Sequence, residues 1–84
     1  MLKIVYFAWV REAIGRDEEL VERPGPGATV AELIAMLAGR GGGYADALAD
    51  SKRLRAAVDQ RFVPMDSPIG DAREVAIFPP VTGG

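Results

Sequence analysis

Val75-Ala76-Ile77-Phe78-Pro79-Pro80-Val81-Thr82-Gly83-Gly84 closes the sequence, and its reading decides the rest. The first four residues are β-branched, aromatic or small and apolar, which predicts a final buried strand. The strand must stop at the prolines. Pro79 and Pro80 bring no amide hydrogen to a ladder and hold φ near about −65°, so the chain leaves the sheet on an extended, polyproline-like course. Gly83 and Gly84 have no Cβ and can pass a channel too narrow for other residues. They would set the terminal carboxylate against the reactive groups of another protein, which makes Gly84 the candidate reacting residue and Pro79, Pro80, Val81, Thr82 and Gly83 the candidate thread. A Gly-Gly end alone is commonly a frayed terminus. The order of strand, stiff spacer and glycine pair sets this one apart.

A central last strand needs a central neighbour, and Leu2 to Ala8 is the candidate. Leu2, Ile4, Tyr6 and Ala8 alternate with Lys3, Val5 and Phe7, and both faces are largely apolar, as in the middle of a sheet. Trp9 to Gly15 reads as a turn of helix closed by Gly15, followed by the charged segment Arg16-Asp17-Glu18. Glu19 to Glu22 is short and charged, like an edge strand, and Pro24-Gly25-Pro26-Gly27 breaks it.

Thr29 and Glu32 have the spacing of a capping box, and Val30, Leu33, Ile34 and Leu37 form one apolar stripe, so a helix is predicted to start here and end near Gly39. Gly41-Gly42-Gly43 lacks the lysine and hydroxyl of a phosphate loop and reads as a flexible link. Tyr44 to Asp50 suits a short second helix anchored by Leu48. Arg55 to Val63 resembles two short strands about a tight turn at Asp59-Gln60, with Val58 and Val63 inward and Phe62 outward. Asp66 to Asp71 is turn chemistry leading to the last strand. If the first and last strands are both central, they lie parallel and adjacent with the helix crossing one face. The expected fold is therefore α+β, a β-grasp with a mixed sheet over residues 1–78 and an extended tail over 79–84.

Composition narrows the function. At 84 residues, 49% hydrophobic and 26% charged, the chain reads as one small globular domain, without an apolar run long enough to span a membrane. The amino terminus has no secretory signal pattern, which points to the cytoplasm. Cysteine and histidine are absent, which removes thiol nucleophiles, disulfides, the commonest general base and the commonest metal ligand. Carboxylates and lysine are a poor set for a self-sufficient enzyme, and no metal or bound cofactor is expected. The net charge of −2, with both signs interspersed, gives no basic stripe for nucleic acid or a membrane surface. The expected partners are proteins. Alternation leaves Phe7, Phe62 and Phe78 on the face opposite Ile4 and Ile77, where three aromatics near the root of the tail would centre an interface.

The chain resembles the small subunits of molybdopterin synthase, which are ubiquitin-like sulfur carriers. The likeness runs from Lys3-Ile4-Val5-Tyr6-Phe7-Ala8 and Val10-Arg11-Glu12, through Ala56-Ala57-Val58-Asp59-Gln60, to Asp71 through Gly84. The closing segment is its most specific part. Asp59 stands where an asparagine is expected, and Gly39 to Gly43 matches no motif. The resemblance implies that an E1-like activating enzyme adenylates Gly84 with ATP and that a sulfur donor displaces AMP to leave a thiocarboxylate. It further implies that the tail enters the large synthase subunit, in a heterotetramer, and gives its sulfur to one half of a dithiolene on a cyclic pyranopterin. Two other readings stand beside it: a carrier for thiamine thiazole synthesis, which Pro79-Pro80-Val81-Thr82 disfavours, and a protein-conjugation tag or interaction module, on which Lys3 and Lys52 do not decide.

Overall fold

The computed structural model describes residues 1–25 and 27–80. Strand β1 (Leu2–Tyr6) alternates buried and half-buried residues, as its two apolar faces demand. It runs parallel to β5 (Glu74–Phe78), with Ile4 opposite Val75 and Tyr6 opposite Ile77. The antiparallel strand β2 (Glu18–Val21) flanks β1 on one side. On the other side β3 (Arg55–Val58) pairs antiparallel with β5, and β4 (Arg61–Val63) with β3. The strand order is β2-β1-β5-β3-β4, which puts the first and last strands at the centre. This is the expected mixed-sheet β-grasp.

A parallel pair cannot be joined by a hairpin, so the chain must cross the sheet between β2 and β5. Helix α2 (Val30–Ala38) is part of that crossing, and both halves of its capping box form. The Thr29 hydroxyl accepts from the Glu32 amide at 3.2 Å, and Glu32 Oε1 accepts from the Thr29 amide at 2.9 Å. Its stripe of Val30, Leu33, Ile34 and Leu37 is buried in one cluster with Leu2, Ile4, Tyr6, Val75 and Ile77. Burying each large aliphatic contributes on the order of 1.5–3 kcal/mol, so this single layer carries most of the stability of a small domain. Val58 and Val63 pack against the same cluster, on the inward side expected of them.

Two local expectations are corrected. The first strand stops at Tyr6 rather than Ala8. Phe7 keeps extended dihedrals and donates its amide to the Ile77 carbonyl at 3.2 Å, and Ala8 then opens helix α1 (Ala8–Ile14) at φ 53°. Gly15 closes α1 in the left-handed region at φ 87°. The glycine run is no flexible link either: Gly41 caps and Gly42 begins helix α3 (Gly42–Leu48). A Cβ on Gly43 would lie 2.0 Å from the Ala13 carbonyl oxygen, so glycine here lets α3 pack directly on the α1 backbone. The turn at Asp59-Gln60 does form, with φ of 48° and 70°. Aspartate holds the first position because its Oδ1 accepts from the amides of Arg73 and Glu74 at 2.9 and 3.1 Å.

Candidate functional site

The sheet face turned away from α2 begins with the pleat. Register puts Val5 beside Ala76, Ala76 beside Ala57, Ala57 beside Phe62, and Phe78 beside Arg55 on this face. Ala57 and Ala76 are only 5% and 7% exposed, yet they stand outside the main core cluster. They form the floor of a shallow dish. Phe7 at 47% exposure, Phe62 at 81% and the half-buried Phe78 are its walls, and Pro79 and Pro80 close one end. The open groove so formed has a volume of about 730 Å³ and is mainly apolar, with Gln60 and Glu74 at its polar end. The three aromatics singled out in the sequence are thus brought together at the root of the tail. Val81, Thr82, Gly83 and Gly84 lie outside the described residues.

Sequence reasoning passed over a second feature at the same root. Trp9, Lys52, Arg53, Pro79 and Pro80 line a notch of about 300 Å³. The Arg53 guanidinium sits 4.8 Å from the centre of the Trp9 ring, within cation–π range. Lys52 and Arg53 belong to a 3-10 turn, Ser51–Arg53, whose amino end is capped by the Asp50 carboxylate accepting from the Lys52 amide at 3.1 Å. Only this long-range placement reveals the notch, since Trp9 and Arg53 are far apart in sequence.

Away from the groove lies a polar knot that the edge-strand reading of Glu19 also missed. The Glu19 side chain is 7% exposed and accepts from Tyr6 Oη at 2.8 Å, Tyr44 Oη at 2.7 Å, Arg40 Nη1 at 2.9 Å and Arg16 Nη1 at 3.2 Å. Burial alone would raise the Glu19 carboxyl, but the hydrogen bonds from Tyr44, Tyr6 and Arg40 outweigh it and hold the group below its ordinary value. Burial first, then the bond to Glu19, pushes the Tyr6 hydroxyl far above the usual phenol range. The hydrogen bond to Glu19 likewise raises Arg40. All four donors are satisfied by one carboxylate, which ties β1, β2, α3 and the loop after α2 together. The knot contributes to stability rather than to chemistry.

Among the described residues no group of three metal-ligating side chains occurs, and no helix is long and apolar enough to cross a membrane. What this surface offers is an apolar groove at the point where Pro79 and Pro80 follow the last strand.

Comparison with known proteins agrees with that architecture. The family model described as the ThiS family matches residues 4–84. The molybdopterin synthase sulfur carrier subunit of Escherichia coli is 46% identical, over the whole of both chains. The protein of the same name from Haemophilus influenzae is 38% identical, again end to end. Among solved structures, the HVO 2177 protein of Haloferax volcanii superposes with a TM-score of 0.75 at 27% identity, covering 99% of this chain and 85% of that one. The central parallel pair, the single covering layer and these full-length matches place the chain in the ThiS family.

Proposed function

We propose that this chain is a sulfur carrier in molybdenum cofactor biosynthesis, the small subunit of a molybdopterin synthase. The observation that carries it is the junction at Phe78-Pro79: a central strand hands the chain out through two prolines beside an exposed aromatic groove. The full-length identity to sulfur carrier subunits supports the same reading. The Gly84 carboxylate is the reacting group. One of its oxygens attacks the α-phosphorus of ATP on an E1-like activating enzyme, pyrophosphate leaves, and the acyl adenylate forms. A sulfur nucleophile then attacks the acyl carbon and AMP leaves, which gives the thiocarboxylate.

The groove of Phe7, Phe62 and Phe78 seats the activating enzyme and the large synthase subunit in turn, and the thread from Pro79 to Gly83 reaches into each. ATP is consumed by the activating enzyme, and the carrier itself binds no cofactor. The assembly with the large subunit is a heterotetramer, working in the cytoplasm without nucleic acid or membrane. ATP–pyrophosphate exchange by the activating enzyme tests this. Exchange should depend on the carrier and vanish when Gly84 is deleted; exchange that persists with the shortened chain would overturn the assignment.

A further inference from the structure

The cations of this protein are not distributed alike. Lys3, Arg11, Arg16 and Arg40 each lie within 4.0 Å of a carboxylate, and Arg23 donates to the carbonyls of Gly70 and Ala72. Lys52, Arg53, Arg55, Arg61 and Arg73 are different. All five are exposed, and among the described residues none of them makes an ion pair, although Arg55 donates to the Leu54 carbonyl at 2.7 Å. The nearby Asp50 carboxylate is turned to the Lys52 backbone amide as a helix cap.

Three of them, Lys52, Arg53 and Arg55, lie at the root of the tail. Arg55 pairs in register with Phe78, the residue before Pro79. Lys52 and Arg53 line the notch with Pro79 and Pro80, and Trp9 holds the Arg53 guanidinium from beneath. The chain as a whole has a formal charge of −2, so the tail root is a local reversal of sign. The tail itself, Val81 to Gly84, carries no charged side chain that could draw it toward a channel.

We propose that Lys52, Arg53 and Arg55 form a cationic collar that docks on an acidic rim around the tail channel of the large synthase subunit. The proposal rests on the carrier assignment above. An unneutralised cluster held partly rigid by a ring contact costs self-repulsion in the free protein, which an acidic partner relieves. Charge complementarity of this kind raises the rate of productive encounter, by roughly 10- to 1,000-fold at low salt, more than it slows dissociation. Its place at the root rather than on the tail orients the thread before it enters.

The test is stopped-flow association of the purified carrier with its cognate large subunit across a salt series. The charge-reversed variant Lys52→Glu/Arg53→Glu is compared with Arg61→Glu/Arg73→Glu, which changes net charge equally at the opposite end of the sheet. The collar variant should associate at least about tenfold more slowly at low salt and lose most of its salt dependence, with a dissociation rate within about twofold of wild type. The control should fall less than about threefold, and Arg53→Lys should retain the wild-type rate within about twofold, because the charge remains. Equal slowing by both double variants, or an unchanged rate in the collar variant, overturns the collar while leaving the carrier assignment standing. Failure of the wild type itself to bind the large subunit overturns the assignment and the collar's partner with it. Melting temperatures of the variants close to wild type confirm that the rates report docking and not unfolding.

Discussion

Phe62 and Phe78 lie with ring centroids 5.6 Å apart and planes tilted by 47°, although β3 separates the strands that bear them. The contact passes over β3 beside Ala57, the register partner of Phe62, whose small side chain lets the two rings lean together. Such aromatic pairs gain about 0.5–1.5 kcal/mol beyond the area they bury. With Phe62 four-fifths exposed, little of the rest of its apolar surface is used in folding. On the proposed function this exposed ring is what a partner would cover.

Phe62→Ala and Phe78→Ala should therefore separate folding from binding. Truncating a central aromatic anchor typically costs on the order of 2 kcal/mol of association, roughly thirtyfold in affinity. We expect Phe62→Ala to melt within a few degrees of wild type, and Phe78→Ala slightly lower because it is half-buried. Both should bind the large subunit at least tenfold more weakly by calorimetric titration. Unchanged affinity in both variants would remove the groove from the interface.

Glu19 predicts how the fold responds to acid. Its carboxyl is held below the ordinary value of 4.5 in the folded protein, so its contribution is fully present above that value. It is lost as pH falls through the lowered folded value. Glu19→Gln replaces the shared acceptor with a single carbonyl and leaves some of its tyrosine and arginine donors unmatched, at a cost on the order of 1–3 kcal/mol near neutral pH. Denaturant unfolding from pH 7 down to about 3 should show the gap between wild type and variant closing as the wild-type carboxylate protonates. A gap that stays constant over that range would mean the knot is not held by its charge.

Gly43 makes a third prediction. The Cβ of Gly43→Ala would stand 2.0 Å from the Ala13 carbonyl oxygen, against backbone that cannot swing aside like a side chain. Helices α1 and α3 must part, and overpacking of this kind costs typically about 1–3 kcal/mol. Alanine at the exposed Gly42 is strained for a different reason, since φ there is 54° with open space around it. Equilibrium unfolding should rank Gly43→Ala below wild type, with its stability recovered if α1 is shortened at Ala13.

Much of this was legible because local chemistry and tertiary demand agree. Thr29 and Glu32 lie three residues apart, and alternation in Leu2 to Tyr6 reports a two-faced central strand directly. Phe62 beside Val63 could be assigned outward from the pleat alone. The misreadings share a cause: the deciding partner is remote. Glycine at Gly42 and Gly43 argues against a helix by propensity, and only the approach of α1 reverses that preference. Glu19 looks like an edge-strand charge until Tyr6, Arg40 and Tyr44 arrive from 13, 21 and 25 residues away. The notch of Trp9 and Arg53 is invisible for the same reason.

The tail makes its own prediction. Every strand of the sheet is complete by Phe78, so deleting Gly84 or replacing Gly83 by valine removes none of the described core contacts. Both variants should melt like the wild type. On the proposed function the deletion would lack the reacting carboxylate at the right reach and the valine Cβ would foul a narrow channel, so adenylation should fall by at least about a hundredfold in each. Normal turnover by Gly83→Val would show that no narrow channel exists.

The central claim, that sulfur is carried on Gly84, is tested most directly by the intact mass of the protein isolated from its own cells. Replacing one carboxylate oxygen by sulfur should yield a population heavier by roughly 16 Da, with the added mass confined to the C-terminal peptide and absent after Gly84 deletion. A single unmodified mass from cells actively making molybdenum cofactor, or the same increment located elsewhere in the chain, would contradict it.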